Sequence, residues 1–260
     1  MTRITTLAAA TLLFLISAAG VSTAADNTPP EDFVALFNGK DLSGWKGLVG
    51  NPKTRAAMTS EQLAEAQKTA DDEMRAHWKV VDGALEFDGK GKSLCTAKDY
   101  GDFEMLVDWK ILPKGDSGIY LRGIPQVQIW DTADRPEGSG GLFNNKIHPA
   151  KPLKCADKPI GQWNTFRIKM VGEKVTVWLN GVKVHNNVEL ADKTGSGNPE
   201  EPLLLPMRFQ DHGNPVRFRN IWLRVRNMMS DIRGEFPSEF AGFAFNDNFG
   251  DVFGSIRRGM

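Results

Sequence analysis

Apolar and polar side chains alternate at period two along residues 102–111, 115–131 and 203–225, and each stretch is punctuated by Gly, Pro or Asn. This is the pattern of antiparallel strands with one face in a core and the other in solvent. Shorter runs of the same kind occupy residues 33–37, 78–81, 84–87, 93–96, 162–171, 174–179 and 182–186, with turn signals at Asn38-Gly39, Asp82-Gly83 and Asn180-Gly181. Such dipeptides favour tight turns because Asn, Asp and Gly tolerate a positive φ. Short strands at even spacing predict an all-β fold, a jelly-roll sandwich of two antiparallel sheets. No internal repeat at the periods of propeller blades is visible.

One segment departs from this pattern. Residues 59–75 are mostly Ala, Glu, Gln, Lys and Met, and Thr59 and Gln62 are spaced as a capping box, so a helix is predicted within an insertion spanning about residues 52–77. Its apolar stripe, Leu63, Ala66, Ala70 and Met74, is narrow. The helix is read either as a side element beside the sheet or as a lid. Residues 228–260 carry Phe236, Phe240, Phe243, Phe245, Phe249 and Phe253 among Gly, Asn and Asp without a strict period. They read as a tail, over a sheet edge or partly disordered, rather than as a partner-binding motif.

Residues 1–25 add a leader to the 26–227 domain. Arg3 is followed by an apolar core at residues 7–16, too short to span a bilayer, and by small residues at 22–25. This reads as a cleaved secretory signal peptide, so a periplasmic or secreted protein is expected. Lys plus Arg and Asp plus Glu both number 32, which gives no electrostatic reason to expect nucleic acid or an anionic membrane as partner. Cys95 and Cys155 are the only cysteines. In an oxidising compartment they either close a disulfide worth about 4 kcal/mol or remain two small thiols.

The polar face of the predicted sheet is chemically unusual. It offers Tyr120, Arg122, Gln126, Gln128, Arg208, Gln210 and His212, with Trp130 among them, where a merely solvated sheet shows Lys, Glu and Thr. Planar amides, guanidinium groups and aromatic rings bind sugar hydroxyls and sugar C–H faces. Ordinary glycoside hydrolysis needs two carboxyl groups flanking the scissile bond. The strand comparable to that of jelly-roll glucanases reads Gln126-Val127-Gln128-Ile129-Trp130-Asp131, with amides where ionisable groups would be required. Asp131 enters the cleft only through a bulge at the strand end; otherwise it opens the following loop. Asp108 and Lys110 share a face with Glu104, either as site groups or as an ion-paired row. His212, in a turn, serves as acid or base or as a turn residue, and Arg122 as an oxyanion donor or a scaffold arginine.

These segments resemble the 3-keto-disaccharide hydrolase family, long known as domain of unknown function 1080. The matching residues are LFNGKDLSGW at 36–45, WKVVDGAL at 78–85, YGDFEMLVDWKI at 100–111, DSGIYLRG at 116–123, QVQIWD at 126–131, WNTFRIKMVG at 163–172 and QDHGNPVRFRNI at 210–221. The resemblance covers about residues 31–226 and implies a concanavalin A-like jelly roll. The family commonly has an acidic residue where Gln126 stands and Asn where Asp116 stands, so a carboxylate role at position 126 is lost here.

The resemblance also implies a chemistry that dispenses with paired carboxylates. A separate sugar dehydrogenase oxidises C3, which acidifies the C2 proton; elimination of the C1 substituent and addition of water give net hydrolysis. His212 or Asp131 is then the expected base and Arg122 the enolate donor, while Tyr120, Gln126, Gln128, Trp130, Arg208, Gln210, Asp108 and Lys110 bind substrate. Two other readings stand beside this one: a non-catalytic carbohydrate-binding module, and a glycosidase that recruits Glu104 and Asp108. No cofactor is expected; a divalent ion such as Ca²⁺ on sugar-site carboxylates stays open, although no dedicated ligand run is present.

Overall fold

The computed structural model describes residues 27–122, 126–143, 145, 148–190 and 206–226. The predicted leader and the Phe-rich tail lie outside them. In chain order the elements are β1 Val34–Ala35, β2 Trp45–Gly47, α1 Pro52–Ala56, α2 Ser60–His77, β3 Trp78–Val81, β4 Ala84–Phe87 and β5 Leu94–Thr96. They continue with β6 Phe103–Ile111, β7 Asp116–Tyr120, β8 Gln126–Trp130, β9 Leu142–Phe143, β10 Asn164–Val171, β11 Lys174–Leu179, β12 Val182–Glu189, β13 Arg208–Phe209 and β14 Val216–Val225.

The strands form two antiparallel sheets, as the period-two pattern predicts. The larger runs β12-β11-β10-β6-β14-β4-β3, with β1 also on β14; the smaller runs β2-β5-β13-β7-β8-β9. Alternation decides which residues meet between the sheets. Phe103, Met105, Val107, Trp109 and Ile111 on β6 are buried in the core, as are Leu94, Phe209, Ile119, Val127 and Leu142, which stand side by side across the smaller sheet. The edge-to-face pair Phe209–Phe218, 4.7 Å between centroids, joins the two layers.

The helix begins where the capping box places it, with Thr59 and Gln62 bonding each other's backbone amides. Only Ala70 and Met74 of its stripe are buried. It packs on β2, the edge of the smaller sheet: Gln67 Nε2 donates to the Gly47 carbonyl at 2.9 Å, and the Gly47 amide donates to Asp71 Oδ1 at 2.8 Å. Gly47 is required there, because an added Cβ would collide with the Ala70 carbonyl. The helix thus satisfies backbone groups that an open sheet edge would leave bare. Among the described residues no helix is long and apolar enough to cross a membrane. Cys95 is buried and Cys155 exposed, and both thiols are free.

Candidate functional site

The outer face of the smaller sheet gathers the chemically distinctive residues. Register aligns Lys46, Cys95, Arg208, Tyr120, Gln126 and Phe143 as one row across its strands. A second row holds Gly118 and Gln128, with Gln210 alongside, its backbone N–H donating to the Gly118 carbonyl at 2.9 Å. Asp116 and Trp130 form a third.

A directed chain of hydrogen bonds ties these rows together. Gln128 Nε2 donates to Asp116 Oδ1 at 2.6 Å, which turns Gln128 Oε1 toward Gln126 Nε2 at 2.7 Å. Gln126 Nε2 also donates to Gln210 Oε1 at 2.6 Å. An ionised carboxylate can only accept, so Asp116 fixes the sense of all three amides. Among the described residues, the buried Gln126 Oε1 acceptor and the Gln210 side-chain nitrogen have no hydrogen-bond partner. Gly118 makes room for this chain, since an added Cβ would overlap Gln126 Nε2.

Asp116 also faces His212, with Oδ2 3.6 Å from Nδ1. Burial pushes the Asp116 carboxyl above its ordinary range, although His212, the Gln128 donor and Arg135 pull the other way. A carboxyl group of raised pKa against an exposed imidazole makes an acid–base pair, the arrangement expected where a proton moves. Trp130 bounds this end; its Nε1 donates to the Gly138 carbonyl at 2.7 Å and Arg135 lies over its ring. At the other end the Arg208 guanidinium stacks on Tyr120, 3.4 Å from the ring centroid.

The structure brings Tyr120, Gln126, Gln128, Trp130, Arg208, Gln210 and His212 to one face, and leaves four expected residues elsewhere. Asp131 opens the loop after β8: its oxygens accept from the Lys114 and Ala133 amides at 2.8 and 2.9 Å, and these bonds lower its pKa. A carboxylate so held is a poor base. Arg122 is buried and turned to the end of the larger sheet, donating to the Gly172 carbonyl at 3.1 Å with Asp102 at 3.8 Å. Asp108 and Lys110 lie on the outer face of the larger sheet. There Asp108 accepts from Thr165 and Asn220, and Lys110 lies over Trp163. Glu104, on the same face, is shared by Arg167, Arg224 and Arg226. Glu104 and Asp108 thus stand on the opposite side of the sandwich from the amides.

Asp116 is the residue that the sequence reading did not select. Its signal was its phase, two residues before Gly118 and four before Tyr120, which fixes its face. Among the described residues no group of three or more His, Cys, Asp or Glu is arranged to hold a metal ion.

Comparison with known proteins agrees with this fold. A family described as the 3-keto-alpha-glucoside-1,2-lyase-like domain matches residues 32–224. A 3-keto-disaccharide hydrolase of Bacteroides thetaiotaomicron is 23% identical, over 75% of this chain and 79% of that protein. Two solved structures of candidate glycosyl hydrolases from Parabacteroides distasonis also align. One is 27% identical with a TM-score of 0.59, covering 76% of this chain and 85% of that one. The other is 23% identical with a TM-score of 0.56, covering 78% and 100%.

Proposed function

Because this chain belongs to the 3-keto-alpha-glucoside-1,2-lyase-like domain family, we propose that it cleaves 3-keto glycosides, using His212 and Asp116 as its acid–base pair. The observation that carries this reading is the pair itself, set on a face whose other polar groups are amides. Elimination from a 3-keto sugar needs one base and one donor for an enolate oxygen, whereas ordinary hydrolysis needs two carboxyl groups across the bond.

In this scheme His212 Nε2 takes the C2 proton, and Asp116 steadies the imidazolium through Nδ1–H. The C2–H electron pair delocalises onto the C3 oxygen, toward which the free Gln210 amide nitrogen can donate. Return of that pair forms the C1–C2 double bond and breaks the bond from C1 to the leaving oxygen, which receives a proton. Water then adds at C1 and a proton at C2, so the net change is hydrolysis. The buried Gln126 holds the Gln210 amide in place, and Trp130 bounds the ring.

A 3-keto substrate must come from a separate dehydrogenase that oxidises a sugar at C3. The leader read in residues 1–25 supports action in the periplasm or the medium. The test is incubation with 3-keto-trehalose or a 3-keto-β-glucoside beside the unoxidised sugar in deuterated water, followed by NMR. Cleavage of the keto sugar alone with deuterium at C2, slowed about 100-fold or more by His212→Ala, is expected. Cleavage of the unoxidised sugar, or binding with cleavage of neither sugar, would overturn the proposal; the latter would leave a carbohydrate-binding surface.

A further inference from the structure

The row that ends at Gln126 begins at Lys46, and its first half is cationic. Lys46 pairs with Cys95, and Cys95 with Arg208, so Lys46 and Arg208 flank one small buried side chain on the same face. Arg55 enters the corner from α1, its Nη1 anchored on the Val49 carbonyl at 2.7 Å and reaching that of Gly50 at 3.4 Å. Arg55 thus hangs on the chain three residues beyond Lys46, and the pKa of its guanidinium is lowered, first by burial and further by Arg208.

The corner differs from the rest of the molecule in its counterions. On the outer face of the larger sheet every arginine described has a carboxylate: Arg167, Arg224 and Arg226 share Glu104, Arg217 has Glu86 at 3.2 Å, and Arg219 has Asp108 at 3.4 Å. Among the described residues Lys46, Arg55 and Arg208 have no carboxylate within ion-pairing distance, and Arg208 Nε is buried without a hydrogen-bond partner. Asp211, the acidic group that acts on Cys95, is held by Ser93. Three converging cations, one with an unmet buried donor, repel one another until an anion arrives.

We infer that the Lys46–Arg55–Arg208 corner is a subsite for the carboxylate of a uronic acid residue, so that the substrates are acidic disaccharides. This rests on the carbohydrate-active reading of the same face. The acid belongs to the ring next to the one that reacts. Tyr120, level with Arg208, and Asp116 lie four residues apart on one strand, about 14 Å, which is more than one sugar ring. The planar fork of arginine matches a carboxylate, and Tyr120 holds that fork in place.

The test reads binding of unoxidised sugars, so failure of keto-glycoside turnover does not bear on it. Calorimetry compares cellobiose with disaccharides of the same linkage that carry glucuronic acid at either ring. At low salt the better uronide is expected to bind about tenfold more tightly than cellobiose, with the margin shrinking in high salt. In Lys46→Gln and in Arg55→Gln the uronide-to-cellobiose ratio is expected to fall toward one. Equal affinities, undetectable uronide binding, a margin that survives in both variants, or preference for a sulfated disaccharide over the uronide would each overturn the inference.

Discussion

Gln128 donates to Asp116 across the β7–β8 ladder at 2.6 Å, and that bond orders the amides behind it. Were Asp116 absent, Gln128, Gln126 and Gln210 could each present either end of the amide to a ligand. With it, the Gln210 side-chain nitrogen is left to face the substrate in a defined arrangement. Preorganisation of this kind costs nothing at the moment of reaction, which is why a solvated-looking sheet face can act as a site.

Gly118→Ala tests that ordering without removing a polar atom. The new methyl group would displace the tip of Gln126 and break its bonds to Gln128 and Gln210 together. Because the buried Gln126 side chain must give way, the loss of stability should be about 1–3 kcal/mol. Turnover of the 3-keto glycoside should fall about tenfold or more. Thermal melting and steady-state kinetics on the same preparation separate the two effects, and unchanged kinetics would remove the amide chain from the mechanism.

Asp116→Asn isolates charge, because an Asn oxygen can still accept from Gln128. Burial raises the Asp116 carboxyl, so the folded protein holds that proton more tightly than the unfolded chain does. Its favourable contribution is therefore present at low pH and lost as pH rises through the raised value, and the Asn variant should be no less stable than wild type at neutral pH. Its activity should nonetheless fall about 100-fold, and the acid limb of the kcat/KM profile that belongs to Asp116 should disappear. A limb that persists unchanged would assign it to another group.

Much of this was legible in the chain. Period two gave both sheets, and it placed Gln126, Gln128 and Trp130 on one face because that alternation is the pleat itself. The capping box at Thr59 gave the helix start to the residue. What the period could not carry was depth and register. Asp131 reads as a carboxylate beside the amides, yet two backbone amides claim it once the chain turns. Arg122 continues the Tyr120 phase but lies past the end of β7, where alternation no longer holds, and it crosses to Gly172 on the larger sheet. The phase of Asp116 was legible, but its partners emerged only when the β7–β8 pairing set it opposite Trp130 and against Gln128. The carboxylate missing at position 126 is thus supplied two hydrogen bonds along the same chain.

The two thiols should differ in reactivity. Cys95 is buried and its thiol is pushed up to about 11, chiefly by burial, whereas Cys155 is exposed beside Asp157. In the native protein an alkylating reagent should label Cys155 alone, and Cys95 should react only after unfolding. Mass spectrometry after labelling under native and denaturing conditions reads this directly. No labelling in either condition before reduction would mean a disulfide, which requires the two segments to approach.

Acid sensitivity should trace largely to His185 on β12. Its ring is buried against the β11 pairing at Val177, Nε2 has no hydrogen-bond partner, and burial pushes its pKa down to about 4. The unfolded chain protonates a free imidazole near pH 6.5. Between those two values the unfolded state binds one more proton, so stability is complete above the upper value and is lost as pH falls toward the lower one. The slope is about 1.4 kcal/mol per pH unit, or roughly 3 kcal/mol across the window. His185→Leu removes the proton site without leaving a buried polar atom unpaired. Its stability should lie within about 1 kcal/mol of wild type at neutral pH, and the variant should overtake wild type as pH falls. Urea unfolding at several pH values checks this, and parallel pH curves for the two proteins would place the acid-labile group elsewhere.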